Sequence, residues 1–421
     1  MKSRSCFFIA IRYLLGRAHE GGRYLRGAAA GIAVSLIPII VTLIVADGMI
    51  RGIIDRYMEL GTGHLQVFSF NGVEDLGEIA GEIRDMDGVR GVWLERRGMG
   101  VLVGKKGKTG ASIRAIDPSF WEDAGSANYL KLVAGTVQIE TDRQMMLGES
   151  LAASIGAEIG DTVRLMTIFE GDNGKNMPRI IPFTVSGIVS SGYHELDALW
   201  CIISGTGGRR ILSPETTSSS LIVKIDNPYK KTHQMAWQLF LNLKSGFSVY
   251  TWKDLMRSQY SSYESTRQTL LLIMALIVII AAVNVSSATS MLVIERQRDI
   301  AVLKVTGAGA DGIKGIFLWG SFLTGLCGAL IGIAAGLLLG NFINPIIRSL
   351  EKFLGFFSRL AGGSEVKILD PGFYLETIPI IIDWQAVFLI GFFTILCSVL
   401  ASWLPAKQAG KLKPMELLRK N

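Results

Sequence analysis

Four long segments without a charged residue constrain this chain more than any other feature. Each contains between 19 and 25 residues, and they are residues 28–46, 270–294, 316–339 and 386–404. A helix needs about 20 apolar residues to cross the hydrocarbon core of a bilayer. Helices that pack in a soluble core usually keep charged residues on one face, and these segments keep none. The sequence therefore predicts an α-helical membrane protein with four transmembrane helices.

The composition agrees with a membrane protein. Of the 421 residues, 49% are hydrophobic, only 19% are charged, and 48 are glycine. Glycine is frequent where helices pack closely in lipid. The 4 cysteines are too few for a disulfide framework. The sequence has no Cys-x-x-Cys pair or His/Cys cluster that would bind zinc, so we predict no metal site.

Positive charges are distributed unevenly around the four spans. Residues 1–27 contain 6 Lys and Arg residues and 1 acidic residue, whereas residues 341–383 contain 4 positive and 5 acidic residues. Cytoplasmic loops carry the excess of Lys and Arg, so both termini are predicted to be cytoplasmic. The predicted cytoplasmic segments are an interfacial helix in 1–27, the linker 295–315 and the tail 405–421. The predicted periplasmic segments are a domain at 47–269 and a short loop at 340–385.

The large region 47–269 has the patterns of a mixed α and β domain. Leu76, Ile79, Ile83 and Met86 have helical spacing, and residues 104–110 have the composition of a hairpin tip. Short apolar runs indicate strands near 65–68, 89–94, 163–169, 183–189, 199–204 and 221–225. These patterns predict a large α+β extracytoplasmic domain of two lobes, inserted between transmembrane helices 1 and 2.

No residue pattern supports catalysis by this chain. Gly107-Lys108-Thr109 resembles the end of a nucleotide-binding loop, but the first glycine of that motif would fall at Leu102. There is no Gly-x-Ser-x-Gly or His-Glu-x-x-His motif. The spans also lack the Asp, Glu, Lys or Arg residues that a proton relay requires. The sequence predicts no catalytic residues, and the chain is not expected to be an enzyme.

Two short patterns indicate contacts between helices or with partners. In the third span, one face carries a glycine at every fourth position: Gly328, Gly332, Gly336 and Gly340. Small residues at this spacing predict close helix packing, either within one chain or across a dimer. In the linker, Ile300 and Leu303 share one helical face, and Gly307 is a natural helix end. This second pattern predicts either a solvated turn or a short helix that docks into a groove on a soluble partner.

Taken in order, several segments resemble the FtsX-like permease family of ABC transporters, and within it the LolC/LolE subunits of the lipoprotein-releasing system. The segments that carry this resemblance are residues 8–14, 148–152, 160–163, 251–252, 293–307 and 405–419. Residues 148–163 are similar to the MacB-like periplasmic core domain. The resemblance extends over nearly the whole chain.

The resemblance implies a permease subunit of an ABC transporter in the bacterial inner membrane. Such a subunit extracts lipoproteins from the membrane and passes them to a LolA-like periplasmic carrier. The implied partners are a dimer of a separate LolD-like ATPase, a second permease copy or paralogue, the lipoprotein substrate and membrane lipids, but no nucleic acid. ATP and Mg would bind to the ATPase, so no cofactor is expected in this chain.

The resemblance also implies roles for particular residues. The coupling helix that contacts the ATPase would contain Glu295, Arg298, Asp299, Ile300, Leu303, Lys304 and Gly307. A carrier-docking loop would contain Glu170, Asn173, Met177, Pro178, Arg179 and Pro182. A cavity for the lipid chains between two permeases would be lined by Leu36, Ile40, Leu43, Leu272, Leu276 and Ile279.

Two alternative functions remain open at the level of sequence. A MacB-like exporter would use the same mechanics to move another substrate. An FtsX-like mechanotransmission subunit would activate a cell-wall hydrolase outside the membrane. The choice between a LolC-type subunit, a LolE-type subunit and a homodimer that combines both roles also stays open.

Overall fold

The computed structural model describes residues 3–15, 21–70, 73–170, 176–213, 217–243, 246–360, 375 and 377–412. The chain divides into two compact units. The helical unit comprises residues 1–48, 263–360 and 378–421, and the sheet unit comprises residues 49–262 and 361–377. The two units are described separately below.

The helices are, in chain order, α1 (Ser3–Leu15), α2 (Gly21–Arg56), α3 (Val73–Arg84), α4 (Ser119–Glu122), α5 (Ala124–Tyr129), α6 (Glu149–Ile155), α7 (His194–Asp197), α8 (Gly205–Ile211), α9 (Pro228–Asn242), α10 (Trp252–Leu255), α11 (Arg257–Glu295), α12 (Gln297–Val305), α13 (Ala310–Asn341), α14 (Ile343–Leu360), α15 (Trp384–Ala401) and α16 (Trp403–Lys411). A π-helix (Tyr57–Thr62) continues directly from α2.

The strands are β1 (Leu65–Ser69), β2 (Val89–Val103), β3 (Lys108–Ile116), β4 (Lys131–Gly135), β5 (Gln144–Gly148), β6 (Thr162–Glu170), β7 (Asn176–Ser190), β8 (Trp200–Ser204), β9 (Ser218–Ile225) and β10 (Phe247–Thr251).

Within the described residues, four helical stretches are long and apolar enough to cross a membrane. They are Arg23–Thr62, Arg257–Glu295, Ala310–Asn341 and Trp384–Lys411. Each contains one of the uncharged segments found in the sequence, and each extends beyond it. The prediction of four apolar helices is therefore confirmed.

The N-terminal helix α1 packs against α13 inside the helical unit. The ring of Phe7 lies edge-on to Trp319 at a centroid distance of 5.2 Å. The Cys6 thiol donates to the carbonyl of Gly312 at 3.5 Å, while Phe8 stays exposed. This helix therefore has one protein-facing side and one apolar exposed side, as an interfacial helix requires.

The predicted short loop at 340–385 contains a regular helix, so the prediction of a loop is wrong for its first half. Helix α14 occupies Ile343–Leu360. At the level of sequence, the charged residues of this segment exclude a membrane span and so favour a connection. Its apolar residues nevertheless recur with helical spacing, which is the signal of an amphipathic helix.

The sheet unit is organised around the 15-residue strand β2. The first part of β2 pairs with β9, which pairs with β1, and β1 pairs with β10. The second part of β2 pairs with β3 and β6. The strands β2, β3, β8, β5, β7 and β6 pair in a closed circuit, and β4 lies outside it on β7. Closure leaves the strands of the circuit without free edges.

Two separate hydrophobic cores occupy the two halves of this sheet. The closed circuit surrounds one core, which includes Leu102, Leu147 and Phe183. The open half, β10-β1-β9-β2, packs against α3 and α9 through a second core that includes Leu76, Val223 and Leu239. The unit thus has two lobes that share β2.

Candidate functional site

The linker between the second and third apolar helices forms a distinct short helix. Helix α11 ends at Glu295, Arg296 leaves helical geometry with φ −96° and ψ 18°, and α12 follows. Gly307 then adopts φ +97°, a left-handed conformation that favours glycine and ends the helix. The chain therefore turns twice within the linker and presents α12 as a separate element.

The apolar side chains of α12 lie on two opposite faces. Ile300 is 1% exposed and packs in a core with Leu25, Ile313 and Ala406. Leu303 is half-buried against the same core. Val302 and Val305 point the other way and are 58% and 68% exposed. The predicted docking residues Ile300 and Leu303 thus face the helical unit itself, and the exposed apolar pair is one that the sequence analysis did not select.

Lys304 also faces inward. Its ammonium group donates to the carbonyl oxygens of Gly410 and Leu412 at 2.7 Å and 2.5 Å. Arg296 and Asp299 form an ion pair across one helical turn at 3.1 Å. Among the predicted coupling residues, Glu295, Arg298 and Gly307 are exposed. The surface of α12 that a partner can reach therefore combines Arg298 with the two exposed valines.

The glycine stripe of α13 packs against α2 within the same chain. A Cβ atom added to Gly332 would lie 2.8 Å from the Leu36 Cβ, and one added to Gly336 would lie 2.7 Å from the Ile40 Cβ. Gly328 and Gly340 face Ile32 and Ile44 in the same manner. The two predicted alternatives were packing within one chain and packing across a dimer. In the described residues the glycines pack within the chain.

This packing corrects half of the predicted lipid cavity. Leu36, Ile40 and Leu43 are buried in the core between α2, α11 and α13, because the glycines allow α13 to approach that face of α2. They cannot line a cavity between two permeases. Exposed positions in the same part of α2 include Val34, Pro38 and Thr42. The predicted residues of α11, which are Leu272, Leu276 and Ile279, are all exposed.

A charged cluster joins three of the apolar helices at one end. Arg267 of α11 pairs with Asp47 of α2 at 2.9 Å and with Asp383 at 2.6 Å. Asp383 also accepts hydrogen bonds from the backbone N–H groups of Gln385 and Ala386, and so caps α15. The cluster marks the level at which the uncharged parts of α2, α11 and α15 end. No sequence pattern signals this cluster, because Asp383 is 116 residues and Asp47 is 220 residues from Arg267 in the chain.

The predicted carrier-docking loop is the end of a hairpin formed by β6 and β7. Ile168 pairs with Pro178, and Arg164 pairs with Pro182. Asn173 lies outside the described residues, as does the side chain of Glu170. Met177, Pro178 and Pro182 are exposed. Arg179 donates to the carbonyl of Arg210 at 3.1 Å, which ties the hairpin to the end of α8.

One face of this hairpin is apolar toward its tip, and Arg164, which pairs with Pro182, lies on the same face farther from the tip. Paired residues of antiparallel strands point to the same side of a sheet, so Ile168 and Pro178 share a face. Ile180 and Pro182 alternate with Pro178 along β7 and lie on that face too. Ile168 and Ile180 are 56% and 60% exposed. The hairpin therefore presents an exposed apolar surface, of which the sequence analysis had identified only the prolines.

Buried charges attach the π-helix to the rest of the sheet unit. The Arg114 guanidinium is fully buried and donates to Glu95 and to the carbonyls of Leu60 and Gly61. Burial lowers its pKa to about 10, although Glu95 opposes this change, so the group remains charged at neutral pH. Charge-assisted hydrogen bonds of this kind are stronger than neutral ones. They hold the C-terminal carbonyls of the π-helix on the sheet.

A second buried pair acts on the same segment. The Lys224 ammonium lies 2.9 Å from Asp123 and 3.4 Å from Glu59 of the π-helix. Burial alone would raise the pKa of Asp123, but hydrogen bonds from Lys224 and Arg90 lower it to about 2. The carboxylate is therefore ionised at all physiological pH values. No sequence pattern signals the contacts of Lys224 with Asp123 and Glu59, because they join residues at least 101 positions apart.

Within the part of the chain that the structure describes, no group of three or more His, Cys, Asp or Glu residues is placed to hold a metal ion. The surfaces found above are suited to contacts with proteins and lipids. None of them brings together a nucleophile, a base and an oxyanion site.

Family models match both units of the chain. The model of the MacB-like periplasmic core domain matches residues 27–259, which is more than half of the chain, and the model of the FtsX-like permease C-terminal region matches residues 271–414. The chain belongs to the FtsX-like permease family with a MacB-like periplasmic core domain. The resemblance carried by the sequence segments is thus confirmed.

Curated relatives of this FtsX-like permease include lipoprotein-releasing subunits. The transmembrane protein LolC of Neisseria meningitidis serogroup B is 26% identical over 98% of both chains. The transmembrane protein LolE of Haemophilus influenzae is 23% identical over 68% of this chain and 66% of its own. Among solved structures, the periplasmic region of MacB from Actinobacillus actinomycetemcomitans covers 48% of this chain and 95% of its own at 19% identity, with a TM-score of 0.33. Family membership and four apolar helices together identify a multi-pass inner-membrane protein.

Proposed function

We propose that this FtsX-like permease is the membrane subunit of an ABC transporter that extracts lipoproteins from the inner membrane and passes them to a periplasmic carrier. The observation that carries the proposal is its similarity to the LolC protein of Neisseria meningitidis, which extends over 98% of both chains. The surfaces of the described residues support three separate contacts that such a transporter needs.

The first contact is with a separate ATPase subunit, which would hold the ATP and Mg. Helix α12 presents Val302, Val305 and Arg298 on one exposed face. Since the two valines are 58% and 68% exposed, burying the rest of their surface would contribute roughly 2–4 kcal/mol before entropy costs. The inward face of α12 packs through Ile300 onto the helical unit. Movement of the ATPase would therefore be transmitted to the core of that unit through a packed helix.

The second contact is with the lipid chains of the substrate. Each buried CH₂ contributes about 0.8 kcal/mol, so acyl chains leave the bilayer only when another apolar surface receives them. In α11 this surface consists of Leu272, Leu276 and Ile279. In α2 it consists of the exposed residues Val34, Pro38 and Thr42. A second permease copy or a paralogue would complete the cavity.

The third contact is with a soluble carrier of lipoproteins. The apolar face of the β6–β7 hairpin, which contains Ile168 and Ile180, is exposed. A carrier that encloses acyl chains has an apolar entrance, and the hairpin offers a surface of the same character. The bond from Arg179 to the carbonyl of Arg210 holds the hairpin in place for such a contact.

The test is photocrosslinking from single positions in native membranes. A photoreactive residue at Val34 or Leu276 is expected to form adducts with lipoproteins when acylation is active and to lose them when acylation is blocked. The matched control is Ile40, which lies in α2 as Val34 does but is fully buried. It should form no lipoprotein adduct in either condition.

The alternative is a MacB-like exporter of another substrate. It is favoured if Val34 and Leu276 form adducts with an unacylated peptide or a small molecule, irrespective of acylation. Adducts from these positions to phospholipid alone would contradict both transport proposals and leave an FtsX-like mechanotransmission subunit.

A further inference from the structure

Helix α14 has two chemically different sides. At 100° per residue, Ile343, Ile346, Ile347, Leu350, Phe353 and Leu354 fall on one side. The opposite side carries Arg348 and Lys352. This division is the pattern of a helix that lies at the boundary between an apolar and an aqueous phase.

The apolar side of α14 is exposed over much of its length. Ile346, Leu350 and Phe353 are between 40% and 59% exposed. A soluble protein rarely exposes such a continuous row of large apolar side chains on one helix. In the helical unit this row needs an apolar phase to cover it.

The position of α14 shows which phase is available. The helix begins at Ile343, immediately after the apolar helix α13 ends at Asn341. The Asn344 side chain donates to the carbonyl of Ile378 at 2.9 Å and accepts from its N–H at 3.1 Å. Ile378 is five residues before Asp383, which belongs to the charged cluster with Arg267. The start of α14 is therefore tied to the level at which the uncharged helix segments end.

A second marker lies at this level. Trp384, the first residue of α15, is 65% exposed, and exposed tryptophans are enriched at the boundary between the bilayer and water. The ion pair between Asp383 and Arg267 would also be energetically unfavourable in the hydrocarbon core. Both observations place the bilayer surface at the N-terminal end of α14.

We propose that α14 lies along the bilayer surface at this end of the helical unit, with Ile346, Leu350 and Phe353 inserted among phospholipid acyl chains. Arg348 and Lys352 then face water. The occupant of the exposed apolar side is the lipid bilayer, because the helix starts at its surface and carries its charges on the opposite side. The inference depends on the four membrane spans and not on the nature of the transported substrate.

The experiment measures the depth of single fluorescent labels in the full-length protein. Cysteines placed at Leu350 and Phe353, and in separate variants at Arg348 and Lys352, are labelled with an environment-sensitive fluorophore. The protein is reconstituted into vesicles of phosphatidylcholine and phosphatidylglycerol. Quenching is then measured with a doxyl-labelled phosphatidylcholine and with aqueous iodide. Labels at Phe388 in α15 and at Val133 in the sheet unit serve as the membrane and water references, since both positions are exposed.

The expected result is severalfold stronger doxyl quenching at Leu350 and Phe353 than at Arg348 and Lys352, with the opposite order for iodide. Equal quenching of the two sides by iodide would overturn the proposal, because α14 would then stand in water. Protection of the Leu350 label from both quenchers would also overturn it, and would indicate that a protein surface, such as a second copy of the chain, covers the helix. Neither result depends on lipoproteins, so the proposed function can fail while this inference holds.

Discussion

The contact between Gly332 and α2 shows how a single missing side chain determines a helix interface. A Cβ atom at this position would lie 2.8 Å from the Leu36 Cβ and 2.9 Å from the Ala33 carbonyl oxygen. The second neighbour is backbone, so it cannot move without displacing α2. The glycine therefore sets the separation of the two helices, as small residues do between helices in lipid.

Gly332→Ala is expected to destabilise the helical unit by about 1–3 kcal/mol, which is the typical cost of an extra methyl group in a packed core. The matched control is Gly320→Ala in the same helix, where the nearest atom would be 3.9 Å away. This control should leave stability unchanged or raise it, since alanine favours helix by about 1 kcal/mol over glycine. The melting temperature of the purified full-length protein in detergent provides the comparison. Equal melting temperatures for the two variants would show that α13 and α2 are not in close contact.

At the scale of an element, the two faces of α12 have different environments: the inner face packs on the helical unit and the outer face is exposed. Ile300 anchors the helix to the chain's own core, and Val302 and Val305 remain exposed. A substitution on the inner face therefore tests folding, whereas one on the outer face tests partner binding. The proposed coupling role concerns the outer face only.

Val302→Asp is expected to weaken association with the ATPase by about tenfold or more, because it would bury an unpaired carboxylate where an apolar side chain is expected to be buried, and about 1.4 kcal/mol corresponds to a factor of ten. Membrane insertion and melting temperature should stay as in the unmodified protein. Val133→Asp is the control, since this valine of the sheet unit is similarly exposed. The measurement is the amount of ATPase that co-purifies with each variant. Wild-type recovery with Val302→Asp would exclude this face from the contact.

At the scale of the whole molecule, the charge distribution predicts on which side of the membrane the sheet unit lies and on which side α12 lies. Lys106 is at the tip of the β2–β3 hairpin and Val305 is in α12, and both side chains are exposed. Lys304 is a poor probe because its ammonium group is held by the Gly410 and Leu412 carbonyls. The two exposed positions therefore give the cleaner comparison.

In a background without reactive native cysteines, Lys106→Cys is expected to react with a membrane-impermeant thiol reagent added outside the inner membrane. Val305→Cys should react only after the membrane is made permeable. The cysteine-free parent controls for background labelling. Labelling of Val305→Cys in intact cells would reverse the predicted orientation and remove α12 from contact with any cytoplasmic ATPase.

Much of the architecture can be predicted from the sequence because it depends on local properties. A run of about 20 apolar residues without a charge is typical of a helix that crosses a bilayer. The four apolar helices were therefore predictable from the uncharged segments 28–46, 270–294, 316–339 and 386–404. The strand at Leu65–Ser69 and the hairpin around Gly107 follow from alternation and turn residues that are adjacent in the chain. The spacing of Gly328 and Gly332 likewise indicates close helix packing before any neighbour is known.

Which residues face a neighbour was decided only by the tertiary structure. A helix in lipid is apolar on all sides, so spacing alone does not separate the buried Leu36 from the exposed Val34. The two apolar faces of α12 are equivalent in the sequence, and only packing against Leu25 and Ile313 buries Ile300 and leaves Val302 exposed. The Arg267 cluster likewise joins helices that are far apart in the chain. The sequence by itself determined the apolar helices, because hydrophobicity is a property of the residues themselves; the tertiary structure decided the exposed surfaces, because burial is a property of a residue's neighbours.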